Sequence, residues 1–247
     1  MTPPAPAILV RPNRPDLAFR HAPGGEPTVV FLPGYMSDMA GSKATAVLAD
    51  CAARGQACLL LDYAGCGLSE GRFADQTLTE WRDDVLDVIA AKVEGPVVLV
   101  GSSMGGWLML LVALALEPGR VAGLVGIAPA PDFTEWGFSD AEKAIIQTEG
   151  QLAEETPYSD QPYVTTRGFW KSGQANRLLG SAIPLACPVR LLHGQRDVDV
   201  SWELSLKLAV ALISDDVRVM LIKDGDHRLS RDADIALLLE TVTGMGR

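Results

Sequence analysis

Five consecutive residues, Gly101-Ser102-Ser103-Met104-Gly105, have the types and spacing of a nucleophilic site in this 247-residue chain. They fit G-x-S-x-G, with an apolar run before them and an apolar helical run after. A serine on a sharp strand-to-helix turn exposes its Oγ, and a Cβ two residues to either side would collide as strand and helix close up. Gly101 and Gly105 remove those atoms, whereas a turn centred on Ser102 would put Val100 and Met104 there. Ser103 is therefore the candidate nucleophile. A serine hydroxyl needs a base to take its proton and an acid to orient that base. For a nucleophile on such a turn the partners follow in the chain order Ser, then Asp or Glu, then His. Of the three histidines, His21 precedes Ser103, His193 ends an apolar run ahead of any suitable acid, and His227 follows the last apolar run. His227 is the candidate base. The segment His193-Gly-Gln-Arg-Asp197 offers Asp197 as the acid, with Asp199 a competitor two residues on. Asp224 and Asp226 read as turn formers.

An acyl carbon under attack develops a negative oxygen that two fixed N–H donors can stabilise. The expected donors are the backbone amides of Met104, next to the nucleophile, and of Tyr35, where Leu32-Pro-Gly-Tyr35 ends an early apolar run. Other chemistries find less support. Gly65-Cys-Gly-Leu-Ser-Glu-Gly71 misses G-x-G-x-x-G by one residue, and no Walker A sequence occurs. Neither H-E-x-x-H nor clustered Cys and His suggests a metal, and the chemistry of a serine nucleophile needs no cofactor.

The elements that must hold these residues follow from hydrophobic patterning. Apolar runs recur at residues 28–32, 57–62, 97–101, 121–127, 189–193 and 217–222, without the alternation of a half-solvated sheet, and read as buried strands. Helical patterns lie between them at 43–54, 77–93, 105–117, 202–213 and 232–242. Thr77 and Ser201 stand where N-caps belong, with Glu80 placed to complete a capping box. Alternating strands and helices predict an α/β fold: one domain over residues 1–247, with a mostly parallel sheet covered on both faces and its ligand site at the strands' carboxyl ends. Residues 132–172 interrupt the alternation with Trp136, Phe138, Tyr158, Tyr163, Phe169 and Trp170 and with eight acids against three bases. That segment is expected to be an inserted cap, with Trp107, Trp136, Phe138, Phe169 and Trp170 lining the substrate pocket.

Composition limits the partners. Hydrophobic residues make up 48% of the chain, enough for a sizeable core. A net charge of −10 repels phosphate backbones and anionic lipid headgroups, so nucleic acid is not expected to bind. The uncharged stretch 97–116 has the length of a membrane span, but its centre, Gly101-Ser-Ser-Met-Gly-Gly106, reads as strand, turn and helix. Four cysteines without a C-x-x-C pair indicate a reducing compartment, and a Pro-rich start without a basic or apolar leader pattern points to the cytosol.

Longer segments carry a resemblance. Leu32-Pro-Gly-Tyr-Met-Ser-Asp-Met-Ala-Gly-Ser-Lys43, Asp62-Tyr-Ala-Gly-Cys-Gly-Leu-Ser69, Gly101-Ser-Ser-Met-Gly-Gly-Trp-Leu-Met-Leu110 and Leu191-Leu-His-Gly-Gln-Arg-Asp197 resemble the mitochondrial palmitoyl-protein thioesterase and acyl-glucuronide esterase family, with its bacterial relatives, within the α/β-hydrolase superfamily. The likeness runs from about residue 28 to 242 and weakens in the cap. It implies an α/β-hydrolase fold, a triad on Ser103, Asp197 and His227, and a small-molecule acyl ester or thioester as substrate. A carbon–carbon bond hydrolase or perhydrolase could use the same triad, and a non-catalytic binding protein could use the same fold.

Overall fold

The computed structural model describes residues 4–156 and 162–245. Its strands, in chain order, are β1 (Ala7–Leu9), β2 (Leu17–Ala22), β3 (Gly25–Leu32), β4 (Gln56–Leu61), β5 (Val97–Ser102), β6 (Val121–Ile127), β7 (Gln151–Glu154), β8 (Tyr163–Thr166), β9 (Val189–Gly194) and β10 (Val217–Ile222). The helices are α1 (Ser42–Arg54), α2 (Leu78–Lys92), α3 (Met104–Ala115), α4 (Phe133–Trp136), α5 (Asp140–Glu149), α6 (Arg167–Ala175), α7 (Glu203–Ala211) and α8 (Asp232–Met245). Eight strands form one sheet in the order β1-β2-β4-β3-β5-β6-β9-β10. It is parallel from β4 to β10 and antiparallel at β1 and β2. This is the mostly parallel, two-sided α/β sheet that the patterning predicts.

Both faces of the sheet are covered, which is why its strands read as unbroken apolar runs. Side chains alternate along a strand, so Val30, Leu32, Leu59, Leu61, Val97 and Leu99 pack with α2 and α3. Their neighbours Val29, Phe31, Cys58, Leu60, Val98 and Val100 pack on the other face with α1 and α8. The uncharged stretch around Ser103 resolves into β5 and α3; ten of the twelve α3 residues are buried, so its all-round apolarity reflects burial inside the protein. Among the described residues no helix is long and apolar enough to cross a membrane.

All six expected strands are present, but the sheet differs from expectation in two places. β1 and β2 are additional: in β2, Leu17, Ala18, Phe19 and Ala22 are buried while Arg20 and His21 interrupt the run, a pattern too mixed for a two-face-buried strand. β10 forms the sheet's edge and leaves Arg218 and Leu221 exposed, so it is not buried as expected. Thr77 caps α2 by accepting the Glu80 amide at 3.3 Å, while the reciprocal capping box forms instead between Ser139 and Glu142 at α5. Ser201 does not cap α7. That helix starts behind Trp202, and the Ser201 hydroxyl donates to the Glu203 carboxylate, a charge-assisted bond that outcompetes capping. Between β6 and β9 the chain leaves the sheet for residues 128–188, which hold α4, α5, the β7–β8 pair and α6. Tyr158 lies outside the described residues.

Candidate active site

The strand order sets β3, β5, β6, β9 and β10 side by side, and the loops leaving their carboxyl ends carry every residue singled out for chemistry. Ser103 follows β5 with φ 54° and ψ −121°. A non-glycine residue in that region costs on the order of 1–3 kcal/mol and persists only where its surroundings dictate it. Three backbone bonds do so: the Ser103 amide donates to the Ile127 carbonyl at 2.9 Å, and its own carbonyl accepts from Gly106 at 2.8 Å and Ala130 at 3.0 Å. A Cβ on Gly101 would lie 2.3 Å from the Gly105 carbonyl oxygen, so strand and helix do close on each other there. One on Gly105 would lie 2.1 Å from the Leu32 oxygen, in β3.

The loops after β9 and β10 are joined backbone to backbone. The Arg196 amide donates to the Gly225 carbonyl at 2.9 Å, and Gly194 packs so closely on Gly225 that a Cβ would meet its oxygen at 2.3 Å. This seam brings Asp197 and His227 together. His227 Nε2 lies 3.0 Å from Ser103 Oγ, and its Nδ1 lies 2.8 Å from Asp197 Oδ2. Asp197 Oδ1 accepts the amides of Asp199 and Val200, both at 2.9 Å. Burial opposes ionisation of Asp197, but hydrogen bonds from His193 and His227 prevail and hold its carboxyl well below the ordinary 3.8. It is therefore ionised wherever an imidazole titrates. Hydroxyl, imidazole and carboxylate form one hydrogen-bonded chain along which a proton can leave Ser103.

Met104 opens α3 directly after Ser103, and the Tyr35 loop lies close by. Gly34 is close enough to the nucleophile that a Cβ would touch Ser103 Cβ at 3.4 Å, which sets the Tyr35 loop beside it. Neither the Tyr35 nor the Met104 amide is spent on another acceptor among the described residues. The Tyr35 hydroxyl donates to the Val164 carbonyl of β8 at 2.6 Å, and burial pushes its pKa up.

A cavity of about 440 Å³ opens above Ser103 and His227. Trp136 and Phe138 line it, together with Tyr35, Phe133 and Tyr163, which the sequence reading did not place there. Trp107, Phe169 and Trp170, expected on the wall, lie behind it. Trp107 is fully buried in α3, stacks edge-on against Phe133 and donates to the Asn176 carbonyl. Phe169 packs behind Tyr35 and Phe133, and Trp170 donates to the Thr134 carbonyl. Aromatic content alone cannot separate a cavity wall from the core that backs it. On the opposite wall, Lys43 of α1 donates to the Arg228 carbonyl, and burial, with Arg228 nearby, lowers its pKa to about 8.

Asp197, Asp199 and His227 offer ligand atoms within 4.8 Å of one another. The Asp197 oxygens are already committed to two backbone amides and two imidazoles, so Asp197 and His227 fit the hydrogen-bonded chain to Ser103 better than a cation. His193 is the residue the sequence reading passed over. It meets the Asp197 carboxylate at 3.1 Å, and its position four residues earlier in His-Gly-x-x-Asp was the available signal.

Comparison with known proteins agrees with this architecture. Residues 29–240 match the model of the alpha/beta hydrolase family. The human mitochondrial palmitoyl-protein thioesterase ABHD10 is 41% identical over 240 residues, covering 96% of this chain and 78% of its own. Among solved structures, a putative hydrolase from Agrobacterium vitis S4 superposes with a TM-score of 0.91 at 36% identity, covering 98% of each chain. Mouse alpha/beta hydrolase domain-containing protein 10 superposes with a TM-score of 0.90 at 40% identity, also over 98% of each. The curated relatives are named as mitochondrial, which overturns the expected cytosolic location. All four cysteines are free thiols, and cysteine usage does not distinguish one compartment with reduced thiols from another.

Proposed function

The chain belongs to the alpha/beta hydrolase family, and on that premise we propose that it hydrolyses carboxylic ester or thioester bonds through an acyl-enzyme on Ser103. The carrying observation is the relay of 3.0 Å from Ser103 Oγ to His227 Nε2 and 2.8 Å from His227 Nδ1 to Asp197. Ser103 Oγ attacks the acyl carbonyl as His227 Nε2 takes its proton. Asp197 holds the Nδ1–H tautomer and balances the imidazolium. The tetrahedral oxyanion is met by the Met104 and Tyr35 amides. His227 then protonates the departing alkoxide or thiolate, which leaves as alcohol or thiol, with the acyl group on Ser103. Water, deprotonated by His227, attacks that ester and restores the hydroxyl.

The test is turnover of short p-nitrophenyl esters. Ser103→Ala is expected to lower kcat by at least about 10³-fold with the fold intact. Wild-type turnover in that variant would overturn the scheme.

The segment 132–172 acts as the cap, and its Phe133, Trp136, Phe138 and Tyr163 define the acyl end of the cavity. The relative's palmitoyl substrate supports an extended apolar acyl group, and each buried methylene is worth about 0.8 kcal/mol. Octanoyl esters and thioesters are expected to exceed acetyl ones in kcat/KM by more than about tenfold, and Trp136→Ala to narrow the gap. Equal efficiency on both chain lengths would remove this part of the reading.

A further inference from the structure

The scheme above leaves His193 unused, although the residue is wholly buried and touches the same carboxylate oxygen as the base. Its Nε2 lies 3.1 Å from Asp197 Oδ2 and 3.0 Å from the Val200 carbonyl oxygen. Both neighbours only accept, so Nε2 carries a proton. Across the ring, Nδ1 lies 2.7 Å from Oγ of Ser205, itself fully buried on α7. In the neutral imidazole Nδ1 accepts, and the Ser205 hydroxyl donates. A side chain that only filled this space would need none of the three contacts. Leaving any of them unmade in the core would be costly, so the set is built as a unit.

We infer that His193, fixed in its Nε2–H form by Ser205, is a positioning residue that locks the Asp197 carboxylate and draws charge from Oδ2, setting how strongly His227 holds a proton. The inference rests on the Ser103 scheme. Its physical content is a competition: two imidazoles donate to one oxygen, and each bond weakens that oxygen's claim on the other. With the His193 donor gone, Oδ2 turns more fully to His227 and favours the imidazolium. With the carboxylate less firmly held, the relay also loses alignment. The other ionisable groups near the pair are Asp199 from the same loop, Asp226 and Arg228 beside His227, Lys43 from α1 and Glu203 at the start of α7. None changes in the variants below, so a titration shift reports His193.

The experiment is the pH profile of p-nitrophenyl ester hydrolysis, with active sites counted by labelling to completion with a fluorophosphonate. His193→Phe keeps a ring and removes the contacts. It is expected to lower kcat per labelled site about 10- to 100-fold, with KM within about twofold. The acidic limb of kcat/KM should move up by about half a pH unit to one unit. His193→Gln returns a side-chain N–H and is expected to bring the midpoint back towards wild type. Should His193→Phe fail to fold, Ser205→Ala leaves the ring in place but weakens its Nε2–H as a donor. That variant is expected to shift the midpoint the same way by less. An unmoved midpoint with wild-type kcat per labelled site, in His193→Phe or in Ser205→Ala where the first does not fold, would overturn the inference. So would a His193→Gln midpoint as displaced as that of His193→Phe. Turnover surviving in Ser103→Ala would instead overturn the scheme, and this inference with it.

Discussion

Alanine at position 105 would place a Cβ 2.1 Å from the Leu32 carbonyl oxygen and 2.4 Å from that of Pro33, and backbone cannot yield as a flexible side chain can. Gly105→Ala is accordingly expected to cost about 1–3 kcal/mol or to abolish soluble expression. Gly180→Ala, whose Cβ meets nothing within 4 Å, should leave the denaturation midpoint within about a degree of wild type. Urea or thermal melts check both. These glycines also mark what one dimension can carry. The spacing of G-x-S-x-G predicted a clash between strand and helix, and Gly101 meets Gly105 in that way. The partner of Gly105 is the end of β3, some seventy residues earlier in the chain, which no local spacing reaches. The choice between Asp197 and Asp199 was equally beyond spacing. It depends on the loop's turn, in which the Asp199 amide points back at Asp197 Oδ1.

Elements meet at Tyr35. Its ring packs against Phe73, Trp81, Phe133, Tyr163 and Phe169, and its hydroxyl reaches from the loop after β3 to the β8 carbonyl of Val164. The loop proposed to supply an oxyanion donor is thereby tied to β8. Tyr35→Phe keeps the amide and the ring but cuts that tie. It is expected to cost about 1 kcal/mol in stability and to lower kcat per labelled site several-fold. An unchanged kcat per labelled site would show that β8 does not steady this loop. The backbone role of Tyr35 could be proposed from its place after a strand, but its side-chain role could not. The partner is 129 residues away, in a hairpin whose strands are short and half-exposed. For the same reason the aromatics of the 132–172 segment did not reveal which of them face the cavity. Trp136 and Phe138 do, whereas Phe169 and Trp170 back it from α6.

At the scale of the whole molecule, parallel strands buried on both faces leave their identity as continuous apolar runs, which is why β3, β4, β5, β6 and β9 were legible. The antiparallel pair β1 and β2 was less so, because its buried run is interrupted, while β10 was read in place at 217–222 with only its burial overestimated. The sheet's order then does what no motif states. It lays the ends of β3, β5, β9 and β10 around one cleft, so that residues 35, 103, 197 and 227 become neighbours. Location in the cell is a different kind of property, and chain composition misjudged it. The most direct test of the central claim is to trap the covalent intermediate: mix the protein with an octanoyl thioester, quench in acid within the first turnovers, and map mass by peptide. The expected result is one octanoyl group per chain on the peptide containing Ser103, absent in Ser103→Ala and failing to build up in His227→Ala. Steady release of octanoate with no acyl group on that peptide, or with one on a different residue, would contradict it.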